Sequence, residues 1–149
     1  MNYSLSKPNK SQFDTIYQQN RLKKLVELIS FERVYGTPDN DKAKDIIFQQ
    51  FSELNLNPKI VGKYKNIIAG ADPKLAKYLV GAHYDSVPGT PGADDNGSAV
   101  AVLLEIANEL KESKDICFVA FNCEEFGISN KTATALPLSS APGVPGTES

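Results

Sequence analysis

The sequence predicts an α/β domain with at least part of its sheet parallel. Three observations carry this. Residues 11–55 show mainly helical spacing of apolar residues. Residues 58–85 switch to short apolar runs bounded by Gly, Pro and Asp. A strong amphipathic helix pattern then separates two apolar runs that read as strands, and a helical crossover is what parallel neighbours require.

The elements follow in order. "SQFDTIYQQNRLKKLVELISFE" carries Phe13, Ile16, Tyr17, Leu22, Leu25, Val26, Leu28 and Ile29 at mainly helical spacing, and Ser11 with Asp14 resembles a capping box. "GTPDNDKAKDIIFQQFSELN" opens a second helix, with Thr37 as N-cap and Pro38 at the first helical position. Its apolar face is Ala43, Ile46, Ile47, Phe51 and Leu54. "PKIVG", "KNIIAGA" and "AKYLVGAHYD" read as strands. "GSAVAVLLEIANELKES" is a helix with Ala99, Val102, Leu103, Ile106, Ala107 and Leu110 on one face. "DICFVAFNCEE" is apolar throughout its first part, as expected of a strand buried on both faces. After Asn130 the period is lost, and "KTATALPLSSAPGVPGTES" has the composition of a disordered tail. The expected organisation is one domain over 1–130 and a tail over 131–149.

Bulk properties narrow the function. A chain of 149 residues is one domain by length, with room for a real core. A net charge of −2 argues against a nucleic-acid or anionic-membrane partner. No apolar run is long enough to span a bilayer, and the first residues lack the apolar stretch of a signal peptide, so a cytoplasmic location is the expectation. Cys117 and Cys123 lie six apart in one apolar run, so both are expected on one side of a strand as buried, reduced thiols. A metal or redox role for the two cysteines fits that position poorly.

The chemistry gathers at strand ends. His83, the single histidine, and Asp85 close the "YLV" strand. Asp94 and Asp95 sit in the loop before the connecting helix, and Glu124 and Glu125 close the "CFVAF" strand. Sites in open α/β sheets form at the C-terminal ends of strands. Singly, each feature has an ordinary reading: a surface histidine, an aspartate cap, a solvated glutamate pair. Together they bring imidazole and carboxylates to one edge, where the carboxylates repel unless a cation neutralises them. His, Asp and Glu are the ligand types of a catalytic zinc centre, and an Asp between two metals can bridge them.

"AHYDS" and "PGADDNGSA", followed about thirty residues later by "FNCEEFG", resemble the zinc aminopeptidases of peptidase family M28. "ERVYGTP" and the helix after it resemble the family's N-terminal part, so the resemblance covers roughly residues 20 to 128. It implies a three-layer sandwich with a mixed, partly parallel sheet flanked by helices, and a centre of two Zn2+ ions. It implies that His83 binds one zinc and that Asp94 bridges both, with a cis Asp94–Asp95 peptide. Asp85 would orient His83, Glu124 would be the general base towards a zinc-activated water, and Glu125 would bind the second zinc. The implied substrate is a peptide with a free N-terminus.

The chain departs from the family after the glutamates. The family draws a further Asp and a further His from later elements, whereas here Glu148 is the only acidic residue after Glu125 and no second histidine exists. Each zinc is thus left one protein ligand short of the usual three. The expectation is an N-terminal portion of an M28-like domain, truncated or frame-shifted after about residue 129, with the C-terminal half of the fold missing and exopeptidase activity impaired. The competing expectation is a catalytically inactive α/β fragment or binding protein.

Overall fold

The computed structural model describes residues 10–128. Helix α1 spans Lys10–Ile29 and α2 spans Pro38–Glu53. Strands β1 (Lys59–Val61), β2 (Asn66–Gly70) and β3 (Tyr78–His83) follow. Helix α3 (Ala99–Glu109) then leads to β4 (Ile116–Phe121). The proposed tail, 131–149, lies outside the described residues.

The predicted mixed sheet is present, in the order β1-β2-β4-β3. β1 with β2 and β2 with β4 are antiparallel, whereas β3 and β4 are parallel, with His83 opposite Phe121. The parallel pair is the one joined through α3, as the helical pattern between two apolar runs required. In consequence the C-terminal ends of β3 and β4 lie side by side, and their loops share one edge of the sheet.

Thr37 caps α2 as predicted. Its backbone is extended (φ −96°, ψ 159°), its Oγ1 accepts the Asn40 N–H at 3.2 Å, and Pro38 begins the helix. The start of α1 differs from expectation. The helix already runs at Lys10, so Ser11 lies within its first turn rather than capping it.

One core joins the helices to the sheet. Leu25 and Ile29 of α1, Ile47 and Phe51 of α2, and Val100, Leu103 and Leu104 of α3 pack with Ile67, Ala69, Ala82, Phe118 and Ala120. The strand residues among these alternate along each strand and share one face of the sheet. The three helices therefore flank that face. On the opposite face, Ile68, Cys117 and Val119 are buried with Val61, Ala76 and Phe121 beside them. β4 is thus buried on both faces, as its continuous apolar run predicted.

The cysteines part from expectation in one respect. Cys117 lies on β4, but the strand ends at Phe121, so Cys123 belongs to the following turn, with φ +67°. Both are buried free thiols.

Candidate metal centre

The site grows from the two parallel strand ends. β3 delivers His83 at its last position, and the chain then runs directly into Tyr84, Asp85 and Ser86, all fully buried. β4 ends at Phe121, and Asn122 and the left-handed Cys123 turn the chain so that Glu124 and Glu125 follow at once.

Asp85 ties the two ends together. Its Oδ1 accepts the Glu124 N–H and its Oδ2 accepts the Glu125 N–H, both at 3.1 Å. His83 Nδ1 faces the same Oδ1 at 3.5 Å, long for a hydrogen bond. Burial pushes the Asp85 carboxyl up, but the His83 contact and the two amides outweigh it and hold it below the ordinary carboxylate value. Asp85 is therefore an anion that orients both its imidazole neighbour and the glutamate turn.

The other imidazole nitrogen faces carboxylates. His83 Nε2 lies 3.3 Å from Asp95 Oδ1 and 3.9 Å from Glu124 Oε2. Burial pushes the His83 imidazolium down, but Asp85, Glu124 and Glu125 outweigh it and raise it above its ordinary value. Glu125 is raised by burial first and then by the Asp95 charge. The His83 displacement records the carboxylates gathered around its imidazole.

The donor set fits a cation. His83, Glu124 and Glu125 each offer one ligand atom, and the three atoms lie within 4.8 Å of one another. One Glu125 oxygen, Oε1, is buried with no hydrogen-bond partner among the described residues. A buried, unpartnered carboxylate oxygen is costly without a cation or donor. A divalent ion would both satisfy it and relieve the mutual repulsion of the acids.

The aspartate beside the histidine is Asp95, whereas the resemblance pointed to Asp94. The cis peptide likewise lies at Asp95–Asn96 rather than at Asp94–Asp95. The local backbone explains the geometry. Ala93–Ser98 winds in wide turns, but Asp95 (φ −107°, ψ 93°) and Asn96 (φ −130°, ψ 33°) leave helical values and swing the Asp95 carboxylate towards β3. Both aspartates are exposed, the Asp95 side chain 74% so, but only Asp95 reaches His83; the Asp94 carbonyl accepts the Ser98 hydroxyl at 2.9 Å. Of the sequence-selected residues, the structure therefore brings together His83, Asp85, Glu124 and Glu125, adds Asp95, and leaves Asp94 aside. A two-aspartate string before a helix does not reveal which carboxylate faces the imidazole, because the backbone departs from helical values only at Asp95 and Asn96.

Sequence reasoning also missed the buried amides that hold the glutamate turn. Asn40 and Asn122 exchange reciprocal side-chain hydrogen bonds, each 3.0 Å. Asn122 also donates to the Tyr64 carbonyl at 2.9 Å, and its backbone N–H reaches Asn66 Oδ1 at 2.9 Å. An isolated Asn in a helix or after a strand gives no signal of this in the sequence.

Comparison with known proteins agrees with this architecture. Residues 66–139 match the model of "Peptidase family M28". Aminopeptidase YwaD of Bacillus subtilis (strain 168) is 49% identical over 71 residues, which cover 43% of this chain and 16% of YwaD. Among solved structures, BSAP, a zinc aminopeptidase from Bacillus subtilis, superposes with a TM-score of 0.63 at 19% identity, over 84% of this chain and 65% of that one. A glutaminyl cyclase from Porphyromonas gingivalis superposes with a TM-score of 0.55 at 29% identity, over 70% of this chain and 43% of that one. The chain spans about one sixth of the length of YwaD and less than two thirds of either structure. Its strand-end imidazole, its carboxylate cluster and the matched block together place it: over residues 66–139 this chain belongs to peptidase family M28.

Proposed function

We propose that this chain carries the zinc-binding, water-activating part of a metal-dependent exopeptidase acting on N-terminal peptide bonds. The observation that carries the reading is the convergence of His83, Asp95, Glu124 and Glu125 on one edge, with the buried Glu125 Oε1 left without a partner. His83 Nε2, the Asp95 carboxylate and Glu125 would hold the metal. Zinc supplies Lewis-acid polarisation and acidification of water when bound.

The remaining steps belong to the side chains. Glu124, although its oxygen lies in the same group as those of His83 and Glu125, takes the general-base role, because Asp95 and Glu125 supply the carboxylate ligands. Its carboxylate accepts the proton of the attacking water and returns it to the leaving amine. Asp85 holds the glutamate turn through its two backbone amide bonds and faces His83 Nδ1 at 3.5 Å. The substrate is a peptide with a free amino terminus.

The donors of this chain suffice for one ion rather than two. The sequence has a single histidine, and a catalytic zinc normally takes three protein ligands. Calorimetric titration with zinc tests this. The expected result is one zinc per chain, bound more weakly than micromolar and lost in His83→Ala. Two zincs at sub-micromolar strength, or binding unaffected by His83→Ala, would overturn it. Hydrolysis of leucine p-nitroanilide with and without zinc tests the catalytic part, and Glu124→Gln should abolish any zinc-dependent turnover while leaving zinc binding in place.

The similarity to a glutaminyl cyclase favours a second reading, cyclisation of an N-terminal glutamine. Glutaminyl β-naphthylamide distinguishes the two by whether the product is pyroglutamyl or free glutamine.

A further inference from the structure

We propose that Arg33 is the positioning residue of this centre: its buried guanidinium holds the end of β3, which carries His83 and Asp85, against the loop that carries Asp95. The inference rests on the metal reading above and adds to it the residue that sets the distance between two of the ligands.

Arg33 is fully buried, yet it has no carboxylate within ion-pair distance among the described contacts. Its guanidinium is spent on main-chain carbonyls. Nε donates to the Tyr84 carbonyl at 2.8 Å, between His83 and Asp85. Nη1 reaches the Pro91 carbonyl at 2.7 Å and Nη2 reaches the Gly92 carbonyl at 2.9 Å. The carbonyls of Ile29 and Phe31 also accept from Nη1 and anchor the side chain to the end of α1. The Arg33 backbone fastens the same segment, since its N–H donates to Ser86 Oγ at 2.9 Å and its carbonyl accepts the Ser86 N–H at 3.3 Å.

One planar fork therefore spans two loops that the sequence separates. Tyr84 precedes the fork's other targets, Pro91 and Gly92, by the length of an exposed Gly-Pro loop. At the level of the site the same two segments also meet where Asp95 Oδ1 approaches His83 Nε2 at 3.3 Å.

The loop is shaped to admit the guanidinium. Gly92 has φ +56°, and a Cβ there would stand 2.9 Å from Arg33 Nη2, 2.8 Å from the Asp95 carbonyl and 2.8 Å from Ser86 Cβ. The Gly97 N–H closes the loop on the Gly92 carbonyl at 2.9 Å, the same oxygen that accepts from Arg33. Arginine suits the task because its donors diverge in a fixed plane, whereas a lysine ammonium is a point that reaches one side at a time. The charge also stands near the Asp85 anion, which offsets part of its burial.

A merely structural role predicts lower stability with unaltered metal binding once the chain is folded. A positioning role predicts weaker binding and altered coordination in the folded chain. Titration of the full chain with Co2+, followed by its visible absorption bands at a temperature below each variant's unfolding, separates them. Arg33→Met should bind Co2+ at least tenfold more weakly with a changed band shape, and Arg33→Lys should recover part of the affinity. Phe51→Leu, a core substitution remote from the site, should lower the unfolding temperature and leave Co2+ binding alone. If Arg33→Met does not fold, Gly92→Ala carries the test, because it presses the loop off an intact Arg33 and should show the same tenfold loss. Wild-type affinity and band shape in Arg33→Met, or in Gly92→Ala in its place, overturn the positioning role. Absence of Co2+ binding by the unsubstituted chain overturns the metal reading itself, and the inference falls with it.

Discussion

Asp95 and Asp94 are adjacent and chemically identical, yet only one faces the imidazole. The 3.3 Å approach of Asp95 to His83 Nε2 predicts an asymmetry between them. Asp95→Ala should weaken zinc binding by tenfold or more, and Asp94→Ala should change it less than threefold, measured by calorimetric titration. Equal losses would contradict the geometry. The residue types of the site were legible in the sequence, since imidazole and acids at successive strand ends leave few other roles. The choice between adjacent aspartates was not, because backbone dihedrals set it. A second prediction concerns Cys117. Burial pushes its thiol up to about 11 from an ordinary 9.0. The unfolded chain then ionises this thiol before the folded chain does. Its contribution to stability is complete below pH 9 and is lost as pH rises towards 11, by at most about 3 kcal/mol. Urea unfolding of wild type and Cys117→Ala at pH 8 and pH 10.5 checks the sign. The wild type should lose more stability between the two values than the variant.

At the scale of elements, α2 reaches the site through an amide rather than through apolar packing. Asn40 is buried in the first turns of the helix and pairs with Asn122 just beyond β4. Removing one partner leaves the other buried and unsatisfied, which costs about 1–3 kcal/mol. Asn40→Ala should therefore lower unfolding free energy by about that amount in urea titrations. Asn40→Asp should do comparable damage, because a buried carboxylate cannot donate to the Asn122 Oδ1. An unchanged midpoint in both would show that the pair contributes nothing. The helices themselves were plain in the sequence: Thr37, Pro38 and the spacing of Ala43, Ile47 and Phe51 specify α2 without reference to the rest of the fold. The amide pair was not plain, since it joins positions 82 residues apart.

At the scale of the molecule, β3 is the outermost strand of the described sheet beside its parallel partner β4. Tyr78 and Leu79 on it are 64% and 42% exposed, and Val102 of the neighbouring helix is 47% exposed. Val80, Ala99, Val102 and Ile106 line an open groove along that edge. An exposed apolar strand edge is a template for pairing with another chain. The isolated chain should associate with rising concentration in light scattering, and Leu79→Lys should shift that onset to higher concentration, because a charge on an edge strand opposes strand addition. A sharply monodisperse monomer at all concentrations would contradict this.

The sequence by itself determined the fold class and the residue types gathered at the strand ends. Periods of 3.6 and 2 are local properties, so the helices, the strands and the helical connection between parallel neighbours could be read from spacing alone. The clustering of His83 with acids at the ends of β3 and β4 followed from that connection, because a parallel crossover places both strand ends on one edge. Tertiary structure decided everything that depends on contact between distant segments or on individual dihedrals. It selected Asp95 over Asp94, placed Cys123 in a turn rather than on β4, and paired Asn40 with Asn122. It also buried Arg33 among carbonyls from three segments. The physical reason is that neither a single residue's dihedrals nor a hydrogen bond between residues far apart in the chain leaves a periodic trace along it.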